Sequence, residues 1–269
     1  MLGDSSPVVV VGGLPRSGTS FWQSLLNAHS EVLIFDEFHA MLDEGFPRFL
    51  EGHRRFFDRQ FERWRRVSPA EMDARFRELL VQFWALGTNP ALLEKAHRRV
   101  RVFGLKTPGV ERSLTWLSSL FGDRRIVFLY CVRSPLQVLR SLHRMPWGED
   151  ATNETLIQDL VRRHGESMGQ VEEARELANV KVRLCSVQHA GETEPQRLEY
   201  ATTLFRALGL EIDEPAHDFV REWRVVDHWP NAQEGRAPGM PKTDFKREEL
   251  ERFQTADTIV RFRREYGIS

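Results

Sequence analysis

The segment Pro7-Val-Val-Val-Val-Gly-Gly13, with the turn Leu14-Pro-Arg-Ser-Gly18 behind it, constrains the fold more than any other stretch. Four consecutive β-branched residues without polar alternation are the pattern of a strand covered on both faces, as inside a parallel sheet. After the turn, Phe21, Trp22, Leu25, Leu26 and Ala28 recur at three- and four-residue spacing, so the chain passes from strand to helix through a glycine-bounded turn. Strands are likewise expected at Val32 to Phe35, Val100 to Leu105 and Ile126 to Val132, and over the alternating Val180, Val182 and Leu184. Between them the periodicity predicts helices at Val110 to Phe121 and Leu136 to His143, the latter opened by Ser134-Pro135. Further helices are expected from an Asn153 cap onward, at Pro195 to Leu208, Asp213 to Trp223, and Lys246 to Glu265. Strands alternating with helices imply an α/β fold with a central, mostly parallel sheet flanked by helices.

The chain of 269 residues is read as one domain over 1–269, with a helical insertion at 41–99. That insertion is polar, rich in Arg and aromatics, and broken at Ser68-Pro69, where Ser68 is an expected cap and Pro69 a first helical residue. Phe46, Phe49, Phe56, Phe57, Trp64, Phe76, Phe83 and Trp84 make it a candidate lid over an acceptor. The Gly/Pro-rich segment Asp227 to Thr243 is expected to be an ordered loop. Basic residues (38) nearly cancel acidic ones (39), which argues against a nucleic-acid binder or a protein drawn to anionic membranes. Lys accounts for only five of the 38, so Arg pairs such as Arg54-Arg55 and Arg263-Arg264 read as solvated helix faces. No run approaches the roughly 20 apolar residues of a transmembrane segment. With no basic residue before the first apolar run and only Cys131 and Cys185, expected to be buried thiols, the reading is a cytoplasmic protein.

Chemistry enters with Gly13-Leu-Pro-Arg-Ser-Gly18-Thr-Ser20. The two glycines and the final hydroxyl match the nucleotide-binding pattern Gly-x4-Gly-Lys-[Ser/Thr], but Thr19 stands where the lysine belongs. Loop amides and the positive end of the helix still form an anion cradle. Without the ammonium that reaches a β/γ-phosphate pair, the loop suits a single 5′-phosphate or a phosphate–sulfate group, to which Arg16 can offer a planar fork. A second candidate anion site, Arg133-Ser-Pro-Leu-Gln-Val-Leu-Arg-Ser141, starts where the Ile126 strand ends. Ligands of open α/β sheets bind outside the strands' carboxyl ends, so the two loops can meet over one crevice.

The stretch Val11-Gly-Gly-Leu-Pro-Arg-Ser-Gly-Thr-Ser20 resembles the 5′-phosphosulfate loop of sulfotransferases that use 3′-phosphoadenosine-5′-phosphosulfate (PAPS). It is most similar to the Pro-Arg-Ser-Gly-Thr branch, which includes tyrosylprotein sulfotransferases and many bacterial enzymes. The resemblance implies a P-loop-containing nucleotide-binding fold, PAPS as sulfuryl donor, and the bisphosphate PAP as product. It implies that Arg16, Ser17, Gly18, Thr19 and Ser20 hold the 5′-phosphate and sulfonate, and that Arg133 with Ser141 anchors the 3′-phosphate. Glu37 lies twenty-one residues after Arg16, the offset of the general base in the tyrosylprotein branch, with Asp36 and His39 as neighbouring rivals. Lys106-Thr107-Pro108 resembles a Lys-x-Pro segment that places a Lys by the bridging oxygen, so Glu37, Lys106 and Arg16 form the implied catalytic set. A positioned carboxylate contributes about 10²–10⁴ in rate, and a cation offsets charge on the leaving phosphate.

Downstream the resemblance thins. Relatives carry Tyr-Glu where this chain has Leu184-Cys185-Ser186-Val187, while Arg206-Ala-Leu-Gly-Leu210 is similar to the family's helix ending. Arg236 and Lys242 are candidates to close over the 3′-phosphate. No metal is called for: no His-Glu-x-x-His or paired-Cys pattern exists, and neither Ser17 nor Ser20 sits in a Gly-x-Ser-x-Gly elbow. The expected partner is a hydroxyl acceptor, whether small molecule, carbohydrate, lipid or peptide, with no nucleic acid and no membrane span. The competing readings are a small-molecule kinase or nucleotide hydrolase, using Ser20 and Asp36 around Mg²⁺, and a non-catalytic module binding an adenosine phosphate.

Overall fold

The computed structural model describes residues 7–38, 48, 49, 52, 55, 69–86, 88, 94, 100–122, 124–144, 152–223 and 244–268. Five strands, β1 (Val8–Gly12), β2 (Val32–Phe35), β3 (Val102–Lys106), β4 (Ile126–Cys131) and β5 (Val180–Cys185), form one sheet in the order β2-β3-β1-β4-β5. Every pairing is parallel, so the sheet is wholly rather than mostly parallel. The four β1 valines explain its central place. Val8 and Val10 point into one apolar cluster and Val9 and Val11 into the other, all fully buried.

Helices α1 (Thr19–Ala28), α2 (Pro69–Leu86), α3 (Leu114–Leu120), α4 (Pro135–His143), α5 (Asn153–Arg175), α6 (Glu194–Ala207), α7 (Glu214–Glu222), α8 (Arg247–Thr255) and α9 (Asp257–Tyr266) cover the sheet. Trp22, Leu25 and Leu26 of α1 pack with Phe205 and Val220 on one face. Trp84, Leu117, Val171 and Phe262 cover the other. At the β2 edge, α1 supplies what a further strand would. Asn27 exchanges two hydrogen bonds with the Ile34 backbone, and Gln23 donates to the carbonyls of Ile34 and Phe35. Cys131 and Cys185 are free, buried and in register on neighbouring strands, and burial pushes both thiols up, Cys185 to about 12. Among the described residues no helix is long and apolar enough to cross a membrane.

Three local expectations are corrected. The helix expected at Val110 starts with a 3₁₀ turn, Val110–Ser113, tightened where the Gly109 N–H donates back to the Gly13 carbonyl. Thr152, not Asn153, caps α5 by accepting from the Thr155 N–H, because the Asn153 amide is turned to Glu249. The stretch from Lys246 to Glu265 is two helices broken at an extended Ala256. Phe253 and Ile259 lie six residues apart and would face different sides of one continuous helix; the break lets both enter the cluster around Leu139 and Leu160. Pro69 does open α2, whereas Ser68 and the 227–243 loop lie outside the described residues.

Two measurements test this packing. A Cβ at Gly104 would lie 1.7 Å from the Val9 carbonyl oxygen, so Gly104→Ala forces β3 and β1 apart. We expect a loss of about 3 kcal/mol or more in denaturant unfolding; an unchanged midpoint would refute the close approach. His164 is fully buried against the Phe262 ring with Nδ1 on the Leu160 carbonyl, and burial lowers its pKa from 6.5 to about 4. The folded value is the lower one, so this contribution is present above pH 6.5 and is lost as pH falls toward 4. It amounts to about 3 kcal/mol, and His164→Leu should flatten that part of the stability–pH curve.

Candidate active site

β1 hands the chain to α1 through residues 13–18, which hold three left-handed positions: Gly13 (φ 118), Arg16 (φ 72) and Gly18 (φ 99). Gly13 has no alternative, since a Cβ there would stand 2.4 Å from the Cys131 carbonyl oxygen. The turn closes with the Ser17 N–H on the Leu14 carbonyl, 3.1 Å. The Trp22 N–H donates to the Gly18 carbonyl at 3.2 Å, and no side chain caps the N-terminal end of α1. The amides of Thr19, Ser20 and Phe21 therefore open toward the loop without an intrahelical acceptor. Among the described residues Ser17 Oγ, on a residue only 4% exposed, has no hydrogen-bond partner. A fan of helix-start amides around a buried, unsatisfied hydroxyl fits an anionic group such as a 5′-phosphate.

The second motif lies at the end of the adjacent strand β4. Arg133 donates from Nη1 to the Arg16 carbonyl (3.2 Å) and from Nε to Gln137 Oε1 (3.0 Å). Arg16 in turn donates from Nε to Ser141 Oγ on α4, 2.8 Å. The fold thus brings Arg16, Arg133 and Ser141 into direct contact, although 125 residues separate the first from the last. The left-handed turn at Arg16 aims its guanidinium at α4 rather than back into its own loop. Ser134, expected to open α4, precedes it but makes no capping bond.

On the other side of β1, the ends of β2 and β3 bring up the acid and the cation. Lys106 Nζ donates to Glu37 Oε1 at 2.5 Å; the lysine side chain is 6% exposed and the glutamate 33%. The two segments are stitched together one residue further on, where the Phe38 N–H donates to Thr107 Oγ1 at 3.1 Å. The Phe38 ring stacks on Phe83 of α2. Asp36 is committed elsewhere, accepting from Gln23 Nε2 at 2.7 Å while its N–H donates to Thr88. His39, Arg236 and Lys242 lie outside the described residues.

Sequence reasoning missed a buried polar group directly under the loop. Glu111, 3% exposed, accepts from the Gly13 N–H at Oε2 (3.1 Å) and from Ser167 Oγ at Oε1 (2.6 Å). Ser167 Oγ lies 2.8 Å from the Tyr130 hydroxyl. Burial raises the Glu111 carboxyl, and the donors from Ser167 and Gly13 oppose the shift. The one available signal was Ser167 itself, a polar residue on the apolar stripe of His164, Met168 and Val171.

Comparison with known proteins identifies the family. A family model described as the Sulfotransferase family matches residues 7–214. The sulfotransferase domain of the Synechococcus PCC 7002 olefin synthase superposes with a TM-score of 0.54 at 15% identity, over 98% of this chain and 96% of that one. Sulfotransferase STF9 from Mycobacterium avium gives 0.52 at 12% identity, over 99% of this chain and 78% of that one. The sulfotransferase domain from the curacin biosynthetic pathway gives 0.50 at 12% identity, over 98% of each chain. At such identities the structural likenesses speak for the fold, whereas the family match spans the phosphate loop, Glu37, Lys106 and the Arg133–Ser141 segment. By that match the chain belongs to the sulfotransferase family, a family of enzymes.

Proposed function

We propose that the chain transfers a sulfuryl group from PAPS to the hydroxyl of an acceptor by in-line displacement. The observation that carries this reading is the meeting of both anion motifs, through Arg16, Arg133 and Ser141, on the sheet edge that also bears the Lys106–Glu37 pair. A donor with phosphates at both ends of its ribose calls for two anion sites and a reacting group between them. The bound donor supplies a sulfuryl group activated as a phosphate–sulfate anhydride.

Each residue then has a task. The amides of Gly18, Thr19 and Ser20 and the hydroxyl of Ser17 receive the 5′-phosphate. Arg133 and Ser141 hold the 3′-phosphate, with Arg16 spanning the two ends. Glu37 takes the acceptor's proton as the hydroxyl oxygen becomes a nucleophile. Lys106 sets a cation against the charge that develops on the departing phosphate. Without substrates these two neutralise each other, which keeps the ammonium oriented inside a largely buried site. No residue in this scheme requires a divalent cation, which separates it from the kinase reading through Ser20 and Asp36.

Two experiments decide it. Calorimetry should show PAP binding in the absence of Mg²⁺, and Arg133→Ala should weaken it by about 2–5 kcal/mol because a buried phosphate loses its fork. Preference for Mg²⁺–ATP would instead favour a kinase. Glu37→Gln should leave PAP affinity intact while turnover falls about 10²–10⁴-fold; wild-type turnover would move the base to Asp36 or His39.

A further inference from the structure

The Glu111 carboxyl takes no part in the scheme above, yet it touches the phosphate loop more closely than any other buried acid described here. Its neighbours run in one direction. Ser167 donates to Oε1, and the Tyr130 hydroxyl is placed to donate to Ser167 Oγ, so a chain of donors from β4 and α5 ends on the carboxylate. The other oxygen accepts the Gly13 N–H. The Gly13 carbonyl is held at the same time, by the Gly109 N–H at 2.8 Å, and the Thr107 N–H bonds the Val11 carbonyl at 3.0 Å. Both polar groups of Gly13 are therefore gripped by the short segment that follows Lys106.

We propose that Glu111 is a positioning residue that clamps the phosphate loop to the Lys106 segment, fixing the register between the donor's sulfur and the Glu37–Lys106 pair. This rests on the sulfuryl-transfer reading. Without that acceptor Gly13, in a left-handed conformation that favours glycine, would be held through its carbonyl alone, and the loop behind it would be less constrained. Burying a carboxylate is expensive, and an apolar residue of the same size would pack beneath the loop at lower cost. What an apolar residue lacks is an acceptor for the Gly13 N–H. The clamp acts on both ends of the reaction because Glu111 is five residues from Lys106 and bonded to the first residue of the loop.

The test compares Glu111→Gln, which keeps a carbonyl acceptor of the same reach, with Glu111→Leu, which keeps only the volume. Amide hydrogen exchange of residues 12–20 is read in the ligand-free protein, and PAP affinity and kcat are read beside it. Glu111→Leu should speed loop exchange and weaken both PAP binding and kcat about tenfold, the worth of one hydrogen bond to a charged group. Glu111→Gln should stay within about threefold of wild type on all three. Should Glu111→Leu fail to fold, Ser167→Ala loosens the same carboxyl and should raise loop exchange with a smaller loss of affinity. Unchanged exchange and affinity in Glu111→Leu or, if it does not fold, in Ser167→Ala, or equal losses in Gln and Leu, would overturn the clamp. A folded wild type that ignores PAP would instead sink the sulfuryl-transfer reading, while loop exchange would still judge the contact.

Discussion

The close approach of Gly13 to β4 governs the geometry of everything around it. Its φ of 118 and the 2.4 Å that would separate a Cβ from the Cys131 carbonyl oxygen leave room for backbone alone. The chain leaving β1 must therefore pass over the end of β4 before turning into α1. That path sets Arg16 above Ser141 and lets Arg133, two residues past the end of β4, reach the Arg16 carbonyl. Two anion motifs more than a hundred residues apart meet because neighbouring parallel strands present their carboxyl ends on one edge. Each guanidinium is oriented by a bond to the other motif or its own helix, so the cationic rim is set by the protein itself.

Charge across that edge is arranged by distance from water. The Lys106 ammonium is nearly buried and is satisfied by the more exposed Glu37, whereas Glu111, fully enclosed, is satisfied by hydroxyl and amide donors. The two acids differ accordingly. One third of the Glu37 side chain is open to solvent. Glu111 is fixed by the loop after β1 and by α5, whose Ser167 is itself bonded to Tyr130 of β4. An accessible carboxylate suits proton transfer and an enclosed one suits holding backbone in place.

How much of this was readable in advance follows from the range of each interaction. Four of the five strands were legible because a residue buried on two faces has to be apolar irrespective of what lies beside it, and the edge strand β5 from its alternation; β1, β2 and β4 fall within a residue of where the runs placed them. Arg16, Glu37, Lys106 and Arg133 were legible as candidates because each stands at or within a few residues of a strand's carboxyl end, where an open parallel sheet presents its ligands, and Ser141 because it lies in the segment that resembles the 3′-phosphate motif. The pairings among them were not. Nothing in the local sequence says that Arg16 bonds Ser141 or that Glu37 and Lys106 close on each other, since those contacts depend on the strand order. The broken helix at Ala256 escaped for a similar reason: each half has good helical periodicity, and only the shared pocket of Phe253 and Ile259 demands the interruption.

Glu111 shows where motif reading stops. In sequence it is an acid beside Arg112 in the first turn of the helix expected from Val110, the ordinary signature of a solvated surface position. Its burial follows from Gly109, whose left-handed turn sends the chain back under β1, and from Gly12, where an added Cβ would lie 2.6 Å from Val110 and 3.2 Å from the Glu111 carboxylate. A glycine at the end of β1 and another in the turn after β3 thus make the space that one acid fills, and the residue 13–18 loop is shaped from beneath by a segment that bears no phosphate-binding motif. The nucleotide-facing residues of such a loop can be found from their own pattern. The residues that hold the loop in place are found by following the hydrogen bond of each buried amide to its acceptor.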